Sequence, residues 1–273
     1  MNSLQKGQFY GTSTKQWHFN GLTIVDSSFL NYEECPWHYH QNAHFAFTTK
    51  GSLVETHRHQ QFNLSPGCLL FNHSIDPHCN ANYSEMVSAF HIDMDRTWFD
   101  SHGFNPSQTE GVHNIQNPLI KTIFYSILAE IKHFDRSSTV SIESLLLQAL
   151  AELASRHKNT AHKKPVWMNK IKDLLYDRAG ESISIRELAK ELNLHPVYLS
   201  QQFPVYFHCT VGEYIRKIRI EKAVTHMLRE PSCSLTEIAF NMGFADQSHF
   251  IRVFKKNTGL TPLTFRNRIM KEN

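Results

Sequence analysis

Residues 234–262 read Ser234-Leu-Thr-Glu-Ile-Ala-Phe-Asn-Met-Gly-Phe-Ala-Asp-Gln-Ser-His-Phe-Ile-Arg-Val-Phe-Lys-Lys-Asn-Thr-Gly-Leu-Thr-Pro262. Ser234 stands three residues before Glu237, the spacing of a capping box, in which a side-chain hydroxyl and a carboxylate each satisfy an orphan N–H. A short helix is expected to Met242. Gly243 then supplies the left-handed turn that glycine adopts without steric cost. Asp246 is placed to cap a second helix that carries Arg252, Lys255 and Lys256. Two short helices around a tight glycine turn are the grammar of a helix-turn-helix.

The same grammar occurs earlier in the chain. At an offset of 50 residues, Ser184, Ile185, Glu187, Leu188, Ala189, Leu192 and Leu194 match Ser234, Leu235, Glu237, Ile238, Ala239, Met242 and Phe244. After one inserted residue, Leu199, Phe203, Thr210 and Tyr214 match Phe250, Phe254, Thr261 and Phe265. Asn193 takes the place of Gly243, and His195-Pro196 opens the second helix, proline being suited to a first helical position. Thr210-Val-Gly-Glu213 is a further capping box, opening a long helix to about Arg229 that joins the two units. Ala189 and Ala239 are small where paired helices must approach closely.

Residues 234–262 resemble the signature of the AraC/XylS family of bacterial transcription regulators, and Ile185–Phe203 with Glu213–Ala223 fits its first unit. The resemblance covers roughly Trp167–Arg268. It implies two recognition helices entering successive major grooves on one face of double-stranded DNA, one turn or about 34 Å apart. Carried over by position, the base-reading residues are Val197, Ser200 and Gln201 in the first unit and Gln247, Ser248 and Arg252 in the second, with His249 beside them. Arg252 suits guanine O6/N7, Gln247 an adenine edge and Val197 a thymine methyl. Lys255 and Lys256 suit phosphates. One stretch departs from the pattern: Phe203-Pro-Val-Tyr-Phe207 replaces a basic run, and Pro204 is expected to end the first recognition helix early.

Charge divides the chain at the same place. Residues 1–162 carry 10 Lys/Arg, 14 Asp/Glu and 14 of the 18 histidines, whereas residues 163–273 carry 18 Lys/Arg and 11 Asp/Glu. The basic half suits a polyanionic partner. With 41% hydrophobic residues the chain can bury a sizeable core, and it has no run long enough to span a membrane. Five scattered cysteines without a CxxC pair, and no apolar stretch after Lys6, point to a reducing cytoplasm.

Working back towards the N-terminus, Arg156–Pro165 is polar and aperiodic, a linker. Before it, Asn117-Pro118 opens a helix with an apolar stripe to Ile131, and a second helix is expected from Ser141 to His157. This pair either covers the preceding domain or forms a homodimer interface. From Trp17 to Met94, short runs such as Phe45–Thr49, Ser52–Thr56, Gln61–Leu64 and Cys68–Phe71 alternate with turn residues, the pattern of a sandwich or small barrel.

Within that region, His38-Tyr-His-Gln-Asn-Ala-His44 followed by Gly51 resembles the first cupin motif, with His44 in place of its glutamate. Ser65-Pro-Gly67 to His78 resembles a partial second motif, its proline and glycine replaced by His73 and Ile75. His38, His40 and His44 share parity on one strand, so they are expected on one face, where His78 from a neighbouring strand joins them. Such a set suits an imidazole-binding divalent metal. No nucleophile–base pair, phosphate loop or dinucleotide glycine pattern occurs, so no enzyme activity is expected.

The expected protein is α+β and multidomain. A cupin-like β-barrel at 1–110 senses a small molecule, a helical pair at 111–158 is available for dimerisation, and 159–166 is a linker. An all-α DNA-binding domain follows at 167–268, with two helix-turn-helix units joined by a linker helix. The function expected is a cytoplasmic, homodimeric, sequence-specific transcription regulator, either an activator that meets RNA polymerase or a repressor, with no membrane partner and no certain cofactor. The alternative is a metal-binding cupin, a metal sensor or metal-dependent enzyme, fused to the same DNA-binding domain.

Overall fold

The computed structural model describes residues 1–104, 113–158 and 165–270, with side chains 155–158 excepted. The chain divides into two compact units, Met1–Asn117 and Pro118–Asn273. The expected boundary at 110/111 and most of the 159–166 linker lie outside the described residues. Among those described, no helix is long and apolar enough to cross a membrane, and all five cysteines are free.

Among its described residues, the first unit has eleven strands and one short helix. Strands β1 (Asn2–Leu4), β4 (Glu34–His40), β9 (His78–Ala81), β6 (Leu53–His57) and β7 (Gln61–Leu64) form one sheet in the order β1-β4-β9-β6-β7. The other runs β11-β8-β5-β10-β3-β2, from β11 (His113–Asn114), β8 (Leu69–Asn72), β5 (Ala43–Lys50), β10 (Met86–Met94), β3 (Leu22–Leu30) and β2 (Thr12–Phe19). Helix α1 (Arg96–Ser101) follows β10, its first turn capped by Asp95. Central strand β10 pairs antiparallel with both β3 and β5, and Val87, Ala89, Phe90, Ile92 and Met94 are buried. Period-two burial on β6, where Leu53, Glu55 and His57 are inside, shows one face turned to the core.

One strand expectation changes. A turn at Gln41-Asn42 separates β4 from β5, so His38 and His40 lie in one sheet and His44 in the other. Parity holds only along an uninterrupted strand. His44 still arrives beside His40, ring centroids 4.3 Å apart, because the hairpin folds it back.

In the second unit, α2 (Pro118–Lys132) packs against α3 (Ser138–Lys158). It also packs on α7 (Val211–Arg229), α9 (Gln247–Thr258) and α10 (Pro262–Ile269), partners that the sequence reading does not anticipate. Lys121 meets Glu221 at 3.4 Å with both side chains nearly inaccessible, Tyr125 meets Thr225 at 2.5 Å, and Arg268 meets Glu130 at 3.4 Å.

The repeat folds as two helix pairs, α5 (Ile185–Glu191) with α6 (Pro196–Phe207) and α8 (Leu235–Asn241) with α9, while α4 (Trp167–Asp177) packs on α7. Capping boxes close at Ser184/Glu187 and Thr210/Glu213. At Ser234 half of the box forms: its hydroxyl accepts the Glu237 N–H, while the Glu237 carboxylate takes the Cys233 thiol at 3.2 Å. Asn193 and Gly243 both have the left-handed backbone expected of the turns, at φ 53° and 74°.

Pro204 does not end α6, which continues to Phe207. An internal proline costs about 3 kcal/mol. Leu199, Phe203 and Phe207, spaced four apart, are buried on one face, with the two phenylalanine rings stacked at 4.1 Å. Burying side chains of this size is worth roughly 1.5–3 kcal/mol each, which offsets the missing bond.

Candidate DNA-reading face and histidine cavity

Helix α9 turns Phe250, Phe254 and Thr258 inward. Gln247, Ser248, Arg252, Lys255 and Lys256 are exposed, while His249 is half-buried with its ring edge on Phe244 at 5.5 Å. Arg252, Lys255 and Lys256 make no hydrogen bond or ion pair among the described residues, whereas Arg178, Arg219, Arg266 and Arg268 are all engaged in the fold. Three cations left free on one helix leave their donors for an external anion. Gln247 accepts from Thr236 at 3.2 Å.

In α6, Val197, Ser200 and Gln201 are exposed, with the Ser200 hydroxyl donating to the Val197 carbonyl at 2.8 Å.

Arg219 on α7 holds the two pairs in fixed relation. Its guanidinium donates to the carbonyls of Ala179 at 2.6 Å and Glu181 at 2.9 Å, just ahead of the α5–α6 pair, and of Gly243 at 2.5 Å in the turn between α8 and α9. It also lies over the Phe244 ring, 5.7 Å from its centroid. An arginine with its donors used on main-chain carbonyls is a structural cross-brace.

The first unit encloses a cavity of about 50 Å³. A water needs roughly 10–15 Å³ measured this way, so the space suits a few waters, or an ion with them. The cavity is lined by His38, His40, His44, His78, His91 and Glu55, among others. Phe9 closes over it, stacked on His91 at 4.1 Å and tilted against His40 at 4.6 Å. This N-terminal segment is tied down where the Gly7 N–H donates to buried Asp93 and Lys6 pairs with Asp95.

The four expected histidines come together, and three converge: ligand atoms of His38, His40 and His78 all lie within 4.8 Å of one another. His38 Nδ1 donates to the Pro36 carbonyl at 2.8 Å and His78 Nδ1 to the Asp76 carbonyl at 3.1 Å. A carbonyl only accepts, so in both rings Nε2 keeps its lone pair, the arrangement that orients metal-binding imidazoles.

His44 stands apart from the three. Asn72 Nδ2 donates both to Glu55, at 3.3 Å, and to His44 Nε2, at 3.2 Å, and the Glu55 bond fixes which way the amide points. Burial, reinforced by His78, depresses the His38 pKa to about 4, and burial takes His91 to about 4 as well. Burial also depresses His40 and His44, so these imidazoles are neutral at pH 7.

Sequence reasoning missed Glu55, His57 and His91. Burial opposes charge on both members of the Glu55–His57 pair. Their 3.0 Å contact nonetheless lowers Glu55 and, with Asp76 at 3.2 Å from its ring, raises His57. The alternation Leu53-Val-Glu-Thr-His57 held the signal for the first two. Ile75, where the cupin motif has glycine, adopts φ 57°, and its N–H donates to the His40 carbonyl at 2.8 Å. A β-branched residue pays about 1–2 kcal/mol for this conformation, strain of the kind that collects beside functional sites.

The model of an AraC-like ligand binding domain matches residues 28–150, and that of a helix-turn-helix domain matches residues 188–268. The chain belongs to the AraC/XylS family. The Msm operon regulatory protein of Streptococcus mutans is 27% identical over 187 residues, 61% of this chain and 66% of that one. The transcriptional activator RhaS of Escherichia coli is 23% identical over 252 residues, 85% of this chain and 87% of that one. A crystal structure of ToxT from Vibrio cholerae, 14% identical, covers 92% of this chain and 100% of its own with a TM-score of 0.40.

As an AraC/XylS member the protein is a DNA-binding transcription regulator, with a cupin-like ligand-binding domain ahead of two helix-turn-helix units. The ligand-binding match runs past Asn117 into α2 and α3, which fold here with the DNA-binding helices.

Proposed function

We propose that α6 and α9 are the recognition helices of a cytoplasmic regulator without enzyme activity, acting as a homodimer and activating RNA polymerase. Val197, Ser200, Gln201, Gln247, Ser248 and Arg252 face bases, Lys255 and Lys256 face phosphates, and His249 steadies the start of α9 through Phe244. The observation that carries this reading is the free cation set on the outer face of α9, beside arginines bound into the fold. An effector in the histidine cavity acts by linkage: it shifts DNA binding by the difference in its affinity for the two states of the protein.

Arg252→Ala is expected to weaken binding to the specific site about 10- to 100-fold while leaving non-specific DNA affinity nearly unchanged. Competition gel shifts on a footprinted upstream fragment check this. Equal losses on both DNAs would make Arg252 a phosphate contact.

A second reading concerns the cavity's occupant. The convergence of His38, His40 and His78, two of them with tautomers fixed by backbone carbonyls, favours a divalent ion such as Zn²⁺ over a sugar-sized molecule in so small a space. The ion would supply a Lewis-acidic anchor for an effector, or itself be the effector. Untagged protein dialysed against ZnCl₂ is expected to retain about one Zn²⁺ per chain, and the His38→Ala/His40→Ala variant none. Negligible zinc in both would leave the histidines as polar lining.

A further inference from the structure

We infer that the two recognition helices read DNA by different chemistry, α6 selecting an A·T-rich half-site through thymine C5-methyl groups. This rests on the reading of α6 as a base-facing helix and adds what it recognises.

Helix α6 contains no charged residue: its sequence is Pro-Val-Tyr-Leu-Ser-Gln-Gln-Phe-Pro-Val-Tyr-Phe. Val197, Gln201 and Val205 recur at four-residue steps, so they form one stripe. Val197 is 54% exposed and Val205 57%, so the outer stripe of the helix carries two apolar side chains with an amide between them. Leu199, Phe203 and Phe207 occupy the opposite, buried face, so the valines are not needed for packing.

A guanine edge in the major groove offers two acceptors and is read best by arginine or lysine, which α6 lacks. The thymine edge offers one acceptor and a methyl group, which matches an amide flanked by valines. The corresponding stripe of α9 runs Ser248, Arg252 and Lys256, with Lys255 beside it, the opposite chemistry on a helix of the same length. Because α6 stays helical through Pro204 to Phe207, Val205 lies on the same stripe as Val197.

The test uses the full-length chain and duplexes selected from a randomised pool. The selected duplex is remade with deoxyuridine for each thymidine in turn, which removes only the methyl, and with 7-deazaguanosine for each guanosine, which removes N7. Each contacted methyl is expected to be worth about fourfold in affinity, clustered in one half-site. Guanine N7 sensitivity should cluster one helical turn away. In Val197→Ala, sensitivity at one thymine should fall below twofold, and in Arg252→Ala the guanine sensitivity should vanish. Tight binding that ignores every deoxyuridine, or thymine sensitivity untouched by Val197→Ala, would overturn the inference. Failure to select any duplex would overturn it together with the base-reading role of the helices.

Discussion

Lys121→Met is expected to destabilise the helical unit by about 3–5 kcal/mol, the largest single effect of any change considered. Lys121 and Glu221 are both buried, and their contact ties α2 to α7. A methionine fills much of the lysine's volume, so the loss is electrostatic: Glu221 remains in a dry site with Tyr176 as its remaining donor, at 3.4 Å. Glu221 Oε2 already lacks a hydrogen-bond partner, which leaves the carboxylate no reserve. Replacing both partners, Lys121→Met with Glu221→Leu, should recover most of the loss, because apolar side chains need neither charge nor donor. Urea denaturation of the four members of this cycle gives the coupling directly. A single-variant cost below about 1 kcal/mol would mean the pair is solvated, as surface pairs are.

Gly243→Ala is expected to cost about 2–5 kcal/mol. The position has φ 74°, which adds roughly 1–2 kcal/mol for any L side chain. The new Cβ would also lie 2.2 Å from the Gly180 carbonyl oxygen, main chain that can yield only by shifting the connection between α4 and α5. That strain adds about 1–3 kcal/mol. Asn193→Gly is the control at the equivalent turn, where the left-handed backbone is already present at φ 53° and the change should be nearly neutral. Thermal melts of the two variants separate a general dislike of the turn from this particular collision.

The helical half was legible because its signals are local. Ser184 with Glu187, Asn193, Gly243 and Asp246 each state a cap or a turn within four residues, and the repeat states them twice. Pro204 was misread because a local rule met a tertiary override, three apolar side chains buried on one face. The stripe of α2 announced burial without naming its partner, and the folded chain supplies α7, α9 and α10. In the β unit, the histidine cluster was visible, but parity failed at Gln41-Asn42. Strand alternation put Glu55 and His57 on one face with Leu53 without saying which face is inner. The assignment of His44 to a hydrogen bond with Asn72 depends on contacts between strands far apart in sequence.

The hydrogen bonds of Arg219 all end on main-chain oxygens, at Ala179, Glu181 and Gly243, and its contact with Phe244 adds a ring beneath them. Every amino acid carries that carbonyl, so drift among the acceptors leaves the brace intact so long as the local backbone is kept. Part of the hereditary burden of keeping the two helix pairs in phase therefore falls on the codon for Arg219 and that of the glycine that lets the loops touch. The outer faces of α6 and α9, which the brace does not use, can then change freely on a frame that does not have to be reinvented.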